Sequence, residues 1–376
     1  MTRVASGPVV IAAGGTGGHV FPALALARAL RSAGVTPAFV TDRRGTAFGG
    51  DLADVPCHKV RAGGLAGRGI LGMLRGVVNL LLGTLQARTL LRRLAPSLAV
   101  GFGGYASVPP LLAARSLGIP TLVHEANAVL GRANRLLTPG ARVIATAFPD
   151  TTNLRPTSRQ RLVRTGIPVR AEFVAARSVP YPELRADGRI EILAVGGSQG
   201  ARVLGRTMPA ALAKLPEEMR GRLHVVQQCR EEDLDTARQV YRDAGIEANL
   251  APFIENVADR LAAAHLVIAR AGASTVAELT VVGRPAILIP YPHATDDHQA
   301  ANARAVGAAG GAWMISEQDL SPDSMALRVE QILGDPAGLA AAAARARAIG
   351  HPDAVERLVD TARALIAEHG DRKVAA

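Results

Sequence analysis

Cysteine is scarce in this chain of 376 residues, which contains only Cys57 and Cys229. The two lie far apart in sequence and form no metal-spaced pair, so a disulfide framework is not expected and a reducing compartment is favoured. Aromatic residues make up only 3% of the chain. Because proteins hold single-stranded nucleic acid by stacking bases on aromatic side chains, and no nucleic-acid motif occurs, we expect no nucleic-acid partner.

Long apolar runs are absent as well. No stretch reaches the roughly 18 uninterrupted apolar residues that a membrane-spanning helix needs. The first apolar run, at residues 9–13, is too short for a secretory signal and leads directly into a glycine loop, so no signal peptide is expected. The hydrophobic fraction of 48% is nevertheless sufficient to fill two ordinary domain cores.

Acidic residues are missing between Asp54 and Glu125, while the whole chain carries a net charge of +11. The segment 61–93 within this section predicts an amphipathic helix that could lie on an anionic membrane surface. A helix buried against its own domain would show a similar pattern. The polar stripe would contain Arg68, Arg75, Asn79, Gln86 and Arg93, and the wider apolar face Leu71, Leu74, Val78, Leu81, Leu82 and Leu85.

Two series of short β-branched runs alternate with segments rich in alanine and leucine. Because buried parallel strands form nearly continuous apolar runs, this pattern predicts an α/β protein with two Rossmann-like, doubly wound parallel-sheet domains. We place the domains at 1–165 and 166–376, with a linker near 165–170 and a last helix that could pack back on the first domain. Strands are predicted at 9–12, 38–41, 98–100, 121–124, 143–146, 190–195, 223–227, 266–268 and 286–289, and helices at 21–33, 109–117 and 335–369.

Glycine clusters follow the first predicted strand of each series. One reads Gly-Gly-Thr-Gly-Gly-His at residues 14–19, and the other reads Gly-Gly-Ser-Gln-Gly at residues 196–200. Backbone N–H groups in such a turn, with the positive end of the next helix, can bind a phosphate. Neither cluster has the Lys-Ser/Thr ending of a P-loop or fits the dinucleotide fingerprint well. One cluster alone could be a tight turn without a ligand, but two at equivalent positions favour anion binding.

Polar side chains lie where predicted strands end. Glu125 and Asn127 follow one strand of the first series, and a third glycine turn, which contains Tyr105, follows another. Because ligands of open α/β sheets bind at the carboxyl ends of the strands, we expect a site at this edge, in the cleft between the domains. His19 could be a titratable group in that site or a histidine that merely packs at a helix start.

A second group of polar residues lies at helix starts in the second series. Glu278 could accept hydrogen bonds from a ribose diol, or it could simply pair with Arg270. Gln299 and Asn302 are three residues apart and share a helical face, which suits a pair that binds sugar hydroxyls. His298 has no second residue at metal-ligand spacing, so no metal site is predicted.

In their order along the chain, these motifs resemble the MurG family, the bacterial lipid-intermediate N-acetylglucosaminyltransferases of peptidoglycan synthesis. The resemblance implies a GT-B architecture, with UDP-N-acetylglucosamine bound mainly by the C-terminal domain and lipid I by the N-terminal domain. It also implies inverting transfer to the C4 hydroxyl of the muramyl sugar, which gives lipid II and UDP, with no metal or other cofactor. The motifs lie at residues 14–19, 103–105, 124–127, 166–170, 196–202, 270–278 and 296–302.

The resemblance also assigns roles to individual residues. His19 is the preferred general base and Glu125 the second candidate. The acceptor-binding residues would be Thr16, Gly17, Gly18, Tyr105 and Asn127, and the donor-binding residues would be Gly15, Arg170, Ser198, Gln199, Gly200, Ile254, Ala273, Glu278, Gln299 and Asn302.

The family further implies a peripheral protein at the cytoplasmic face of the cell membrane. Its expected partners are anionic inner-membrane lipids and other proteins of cell-wall synthesis and cell division, and its expected roles include cell shape. Four alternatives compete with this interpretation: a GT-B enzyme with another sugar or acceptor, a UDP-sugar epimerase, a non-catalytic membrane scaffold, and a nucleic-acid-binding module, which charge alone suggests and the low aromatic content disfavours. The epimerase would need its own catalytic carboxylates, and the scaffold would leave the motifs at the sheet edges unexplained.

Overall fold

The computed structural model describes residues 7–14, 17–42, 52–63, 69–197 and 201–375. The chain forms two compact units. Unit 1 comprises the chain up to Arg170 together with Pro352–Ala376, and unit 2 comprises Ala171–His351. The division between the units follows Arg170, at the end of the segment 165–170 expected to link the domains, and the C-terminal segment belongs to unit 1.

Unit 1 contains a parallel sheet of seven strands in the order β3-β2-β1-β4-β5-β6-β7. Its central strands are fully buried because helices cover both faces, and for this reason their sequences are continuous apolar runs. The short edge strands β3 and β7 were not predicted, since they are three residues long and half-exposed. The strands are β1 (Val9–Ala12), β2 (Pro37–Thr41), β3 (Cys57–Lys59), β4 (Leu98–Gly101), β5 (Thr121–Glu125), β6 (Val143–Thr146) and β7 (Leu162–Arg164).

The helices between these strands build two cores, one on each side of the sheet. Residues of α1, such as Leu26 and Leu30, pack on one side, and Ala87 and Leu91 of α2 pack with α3 on the other. The helices are α1 (Gly17–Ser32), α2 (Gly69–Leu94), α3 (Val108–Ser116) and α4 (Arg132–Leu137).

Unit 2 repeats this plan with six parallel strands in the order β10-β9-β8-β11-β12-β13. The strands are β8 (Ile190–Val195), β9 (Leu223–Gln228), β10 (Glu247–Ala251), β11 (Leu266–Ala269), β12 (Ala286–Leu288) and β13 (Ala312–Met314). The helices are α5 (Ala171–Ala176), α6 (Arg202–Leu212), α7 (Glu217–Arg220), α8 (Leu234–Asp243), α9 (Val257–Ala263), α10 (Ala273–Val282), α11 (His298–Ala308), α12 (Pro322–Leu333) and α13 (Pro336–Ile349).

The segment 335–369 is helical as predicted, but a break divides it into two helices. Gly350 ends α13 against the carbonyl oxygen of Thr280, an approach that a side chain at this position would block. Pro352 further disfavours helical backbone at the residue before it. The next helix, α14 (Ala354–Ala375), belongs to unit 1, where Leu358 and Leu365 pack against the α1 side of the core.

Candidate active site

The order of the strands in unit 1 reverses between β1 and β4, and two glycine turns leave the carboxyl ends of these neighbouring strands. Phe102 donates its backbone N–H to the carbonyl of Ala12 at 3.0 Å, which extends the β1–β4 pairing into the second turn. The buried Ser107 hydroxyl lies 2.8 Å from the same Ala12 carbonyl and 2.7 Å from that of Gly103. Backbone and side chain together therefore fix the second turn beside β1, at the point where ligands of doubly wound sheets bind.

His19 lies in the first turn of α1, beside this second glycine turn. Gly103 and Gly104 have φ angles of +91° and +70°, a left-handed conformation that favours glycine. A Cβ atom at Gly103 would lie only 3.3 Å from the imidazole Cδ2 and Nε2 of His19. The two glycines therefore allow the backbone to approach the imidazole closely. Tyr105 follows directly and is partly buried against the core on the α2 side of the sheet.

Glu125, the last residue of β5, organises the loop that follows it. Its side chain is buried, and Oε1 accepts hydrogen bonds from the backbone N–H of Asn127 at 2.9 Å and from its amide Nδ2 at 3.2 Å. Its Oε2 accepts from the N–H of Gly131 at 2.8 Å and from Nδ2 of Asn134 at 2.8 Å. Four donors already occupy the carboxylate, so the geometry favours a positioning role for Glu125 over that of a general base.

Asn134, in α4, was not identified from the sequence. It is buried, and its amide donates to the carbonyl of His124 at 3.1 Å as well as to Glu125. Its Oδ1 has no hydrogen-bond partner within the parts of the chain that the structure describes. No local pattern marks Asn134, because its partners lie on β5 and come together with α4 only in the folded unit.

His124 precedes Glu125 and is completely buried. Its Nε2 lies 2.9 Å from the carbonyl oxygen of Gly166, so this nitrogen carries the proton in the neutral ring. Burial lowers the pKa of His124, which keeps the imidazole neutral at physiological pH. His124 thereby connects β5 to the segment just before the boundary at Arg170.

Several predicted residues of the first glycine loop and the linker have a defined place. Gly17 and Gly18 begin α1, while Gly15 and Thr16 lie outside the described residues. Arg170, expected among the donor-binding residues of the second domain, is the last residue of the first segment of unit 1. Its guanidinium lies over the ring of Phe21 in α1, 5.5 Å from the ring centroid.

In unit 2 the strand order reverses between β8 and β11. Ser198, Gln199 and Gly200, which follow β8, lie outside the described residues. Ala273 is the first residue of α10, which follows β11, and the partly buried Glu278 lies in the second turn of that helix. Ile254 is buried in the turn after β10.

Arg270 fixes the loop between β12 and α11. Its guanidinium forms an ion pair with Glu317 at 2.6 Å. From the sequence, only Glu278 had been considered as an ion-pair partner of Arg270. The same guanidinium donates to the carbonyl of Pro290 at 3.2 Å and lies 5.5 Å from the ring centroid of Tyr291. Glu317 follows β13 and was not identified from the sequence.

Gln299 and Asn302 share a face of α11 but have different environments. Gln299 Oε1 accepts a hydrogen bond from the backbone N–H of Tyr291 at 3.0 Å, which directs the amide donor Nε2 elsewhere. Asn302 is 0% exposed and donates to the carbonyl of Ala271 at 3.1 Å. Asn302 therefore holds the turn before α10, whereas the sugar-binding role expected for the pair stays a prediction.

Metal-binding clusters are not found in the described portion of the chain, where no three His, Cys, Asp or Glu side chains converge. His298, the residue considered for a metal, has its Nδ1 2.7 Å from the carbonyl of Thr295. Asp296 and Asp297 before it have positive φ angles of 55° and 52°, a conformation rare for residues other than glycine. Such backbone strain is concentrated at functional sites.

The apolar face of α2 is exposed. Seven large hydrophobic side chains between Met73 and Leu85 are 38–62% exposed, so the alternative in which they are buried against their own domain is wrong. The helix instead approaches its own unit closely at Gly83, where a side chain would overlap the carbonyl of Arg61. Exposed Arg75, Arg92 and Arg93 accompany the apolar face, and Arg68 lies outside the described residues. Within the described residues, no helix has the length and apolarity needed to span a membrane.

Comparison with known proteins identifies the family. The N-terminal domain of glycosyltransferase family 28 matches residues 9–146, and its C-terminal domain matches residues 191–358. A protein of Rhodospirillum centenum is 55% identical over 353 residues, which cover 94% of this chain and 93% of that protein. A protein of Paramagnetospirillum magneticum is 52% identical over 358 residues, or 95% of this chain and 96% of its own. Both are named UDP-N-acetylglucosamine–N-acetylmuramyl-(pentapeptide) pyrophosphoryl-undecaprenol N-acetylglucosamine transferase.

The chain belongs to the MurG family. The crystal structure of Acinetobacter baumannii MurG matches it with a TM-score of 0.77 and 32% identity, over 94% of this chain and 98% of that one. The predicted fold class, two Rossmann-like domains of the GT-B type, is confirmed, as is the prediction of a glycosyltransferase. Within the MurG family, the two sheet edges described above become the candidate acceptor and donor sites.

Proposed function

We propose that this protein transfers N-acetylglucosamine from UDP-N-acetylglucosamine to the C4 hydroxyl of the muramyl sugar of lipid I, forming lipid II and UDP. The observation that carries the proposal is the identity of 52–55% over nearly the full length of two relatives named for this transfer. The ordered motifs at the sheet edges of both units support it. The reaction supplies a precursor of peptidoglycan, which links the protein to cell-wall synthesis, cell shape and cell division.

In the proposed mechanism, unit 1 binds lipid I and unit 2 binds the UDP-sugar. His19 accepts the proton of the C4 hydroxyl while that oxygen attacks the anomeric carbon of the donor. The bond from this carbon to the diphosphate oxygen breaks, UDP leaves, and the configuration inverts. Backbone N–H groups and helix N-termini stabilise the departing diphosphate without a required metal ion. Glu125 and Asn134 hold the loop after β5 for the acceptor.

The direct test is incubation with labelled UDP-N-acetylglucosamine and lipid I, followed by chromatography of the lipid fraction. We expect label in a lipid product and release of one UDP per transfer, with and without EDTA. Activity that is lost in EDTA and restored by Mg²⁺ would contradict the metal-free mechanism. Release of UDP and free sugar without a labelled lipid would favour the epimerase alternative.

Donor recognition gives a prediction for Glu278 and Gln299. Glu278→Ala should raise the KM for UDP-N-acetylglucosamine about 10- to 150-fold, since a hydrogen bond to a charged group contributes about 1.5–3 kcal/mol. Because the Tyr291 N–H bonds to Gln299 Oε1 and fixes the orientation of the amide, Nε2 is the donor that Gln299 would offer to the sugar. Gln299→Glu keeps the acceptor for Tyr291 but removes this donor, so it should reduce discrimination against UDP-N-acetylgalactosamine.

Steady-state kinetics with both UDP-sugars checks this prediction. Gln331→Ala, at an exposed position of α12, is the matched control and should leave both KM values unchanged. Wild-type KM and selectivity in Glu278→Ala and Gln299→Glu would contradict these site assignments.

We propose that α2 docks unit 1 on the anionic cytoplasmic face of the cell membrane. Its exposed leucines and valines would enter the headgroup region, while its arginines would contact anionic lipids. The acceptor supports this location, because a lipid-linked sugar remains attached to the bilayer. A membrane-bound position would also bring the protein close to other proteins of cell-wall synthesis and division.

Docking through α2 predicts a large loss of vesicle binding in Leu74→Gln/Leu81→Gln/Leu85→Gln. These side chains are 54–62% exposed, so the fold should tolerate the changes. Full burial of one leucine contributes about 1.5–3 kcal/mol, and partial insertion of three should weaken binding at least about 100-fold. Arg75→Glu/Arg92→Glu/Arg93→Glu should weaken binding to anionic vesicles only, with about 1 kcal/mol per charge removed.

Co-sedimentation with vesicles, with and without anionic lipid and at low and high salt, measures this effect. Leu327→Gln in α12 of unit 2 is the control, because Leu327 is equally exposed at 58%. Equal binding of the wild type and both triple variants would show that α2 is not the docking surface.

A further inference from the structure

Gln228 has no role in the assignments above, yet its side chain connects two loops of unit 2. It is the last residue of β9, which lies between β8 and β10 in the sheet. Its Oε1 accepts a hydrogen bond from the backbone N–H of Gly196 at 3.0 Å. Its Nε2 donates to the carbonyl of Pro252 at 3.1 Å. One amide group therefore joins the turn after β8 to the turn after β10.

The amide of Gln228 carries the connection between these strands into the turns after β8 and β10, next to the last β9–β10 backbone bond, from the N–H of Cys229 to the carbonyl of Ala251 at 2.9 Å. The β8–β9 pairing extends to Ala194 and Gln227, and the β9–β10 pairing extends to Gln228 and Ala251. Beyond these residues β8 and β10, the two neighbours of β9, continue into their turns. Because Gly196 offers an N–H donor and Pro252 a carbonyl acceptor, only one orientation of the amide satisfies both.

The preceding residue, Gln227, has a different task. Its side chain points to the opposite side of the strand, is completely buried, and accepts a hydrogen bond from the hydroxyl of Tyr241 at 2.5 Å. Gln227 thus belongs to the core of unit 2, whereas Gln228 acts at the carboxyl edge, where ligands of such sheets bind.

We infer that Gln228 is a positioning residue that couples recognition of the donor's diphosphate to recognition of its uracil base. The inference rests on the proposed function, in which the turn containing Gly196 faces the diphosphate and the turn containing Pro252 and Ile254 faces the base. In UDP the ribose fixes the separation of these two groups. A protein that holds both turns at the matching separation before binding avoids the cost of ordering them on binding.

Loss of this coupling should change the affinities of UDP and of its fragments differently, which a general loss of stability would not do. A ligand that contacts only one turn, such as uridine or pyrophosphate, does not depend on the separation of the two turns. UDP contacts both, so its affinity benefits from the fixed separation in the way that two linked ligands benefit from a matched linker. Loss of the Gln228 amide should therefore weaken UDP while leaving each fragment nearly unaffected.

The experiment measures dissociation constants of UDP, uridine and pyrophosphate for the wild type, Gln228→Ala and Gln228→Glu. Without the two hydrogen bonds, we expect the Kd of UDP to rise about 10- to 100-fold, while those of uridine and pyrophosphate change less than about twofold. Gln228→Glu places a carboxylate oxygen against the Pro252 carbonyl and should be at least as weak as Gln228→Ala. In the transfer assay, KM for the UDP-sugar should rise while kcat changes little.

Gln239→Ala is the matched control, because Gln239 is an exposed glutamine of α8 that bonds only Asp243 among the contacts described. It should bind all three ligands like the wild type. Unchanged UDP affinity in both Gln228 variants, or an equal loss for UDP and its fragments, would overturn the inference. A wild-type protein that binds neither UDP nor its fragments would instead overturn the proposed function, and this inference with it.

Discussion

His19→Ala should lower kcat about 10²- to 10⁴-fold, the range that a well-positioned general base contributes. His19 lies in the first turn of α1, where the left-handed backbone at Gly103 and Gly104 allows a close approach to its imidazole. Because the change removes the base and not the donor site of unit 2, affinity for UDP should stay at the wild-type value. Single-turnover transfer to lipid I and calorimetric binding of UDP measure the two quantities separately.

Two controls separate loss of the base from a packing defect. The melting temperature of His19→Ala should be compared with that of His58→Ala, which removes a histidine from the edge strand β3. His58→Ala should transfer N-acetylglucosamine at nearly the wild-type rate. If His19→Ala keeps near-normal turnover, the general base must be another group, and Glu125→Gln becomes the next variant to test.

Arg284→Met should reduce the free energy of unfolding of unit 2 by about 3–5 kcal/mol, because it removes the donor from several buried carbonyls at once. Arg284 is almost completely buried, and its guanidinium donates to the carbonyls of five residues. Without these donors the carbonyls would remain buried and unpaired, at about 1–3 kcal/mol for each that does not find water. The carbonyls belong to Val179, Pro180, Ala262, Val282 and Gly283.

Arg284 remains charged although it is buried. Burial lowers the pKa of Arg284 to about 10, so the guanidinium remains protonated at neutral pH. Its Cζ also lies 5.6 Å from the centroid of the Tyr181 ring, whose hydroxyl donates to the carbonyl of His265 at 2.8 Å. Arg284→Lys keeps a charge but has fewer donors and no planar group, so it should lose an intermediate amount of stability.

Urea unfolding followed by circular dichroism measures these differences. Arg328→Met, at an exposed arginine of α12, should change the free energy of unfolding by less than about 0.5 kcal/mol. An Arg284→Met protein as stable as this control would show that the carbonyl network contributes little.

Continuous apolar runs were sufficient to locate nine of the strands, because a strand covered on both faces must be apolar throughout. The edge strands β3, β7, β10 and β13 escaped detection since they are short or partly exposed and lack such a run. The same limit applies to polar residues. Glu125 could be placed at a strand end from the sequence, but its donors Gly131 and Asn134 lie on the following loop and α4, which only folding brings to it.

The sequence by itself determined the α/β class, the glycine turns and the family, because these depend on local patterns and on the order of motifs along the chain. Tertiary structure decided which polar side chains remain available. Gln299 and Asn302 look equivalent on a helical wheel, yet Asn302 is buried against the Ala271 carbonyl. The outward direction of the α2 leucines was likewise undetermined, because an amphipathic pattern fixes which residues share a face but not which face packs. The approach of Gly83 to the backbone of Arg61 settles that choice, since only a residue without a side chain fits there.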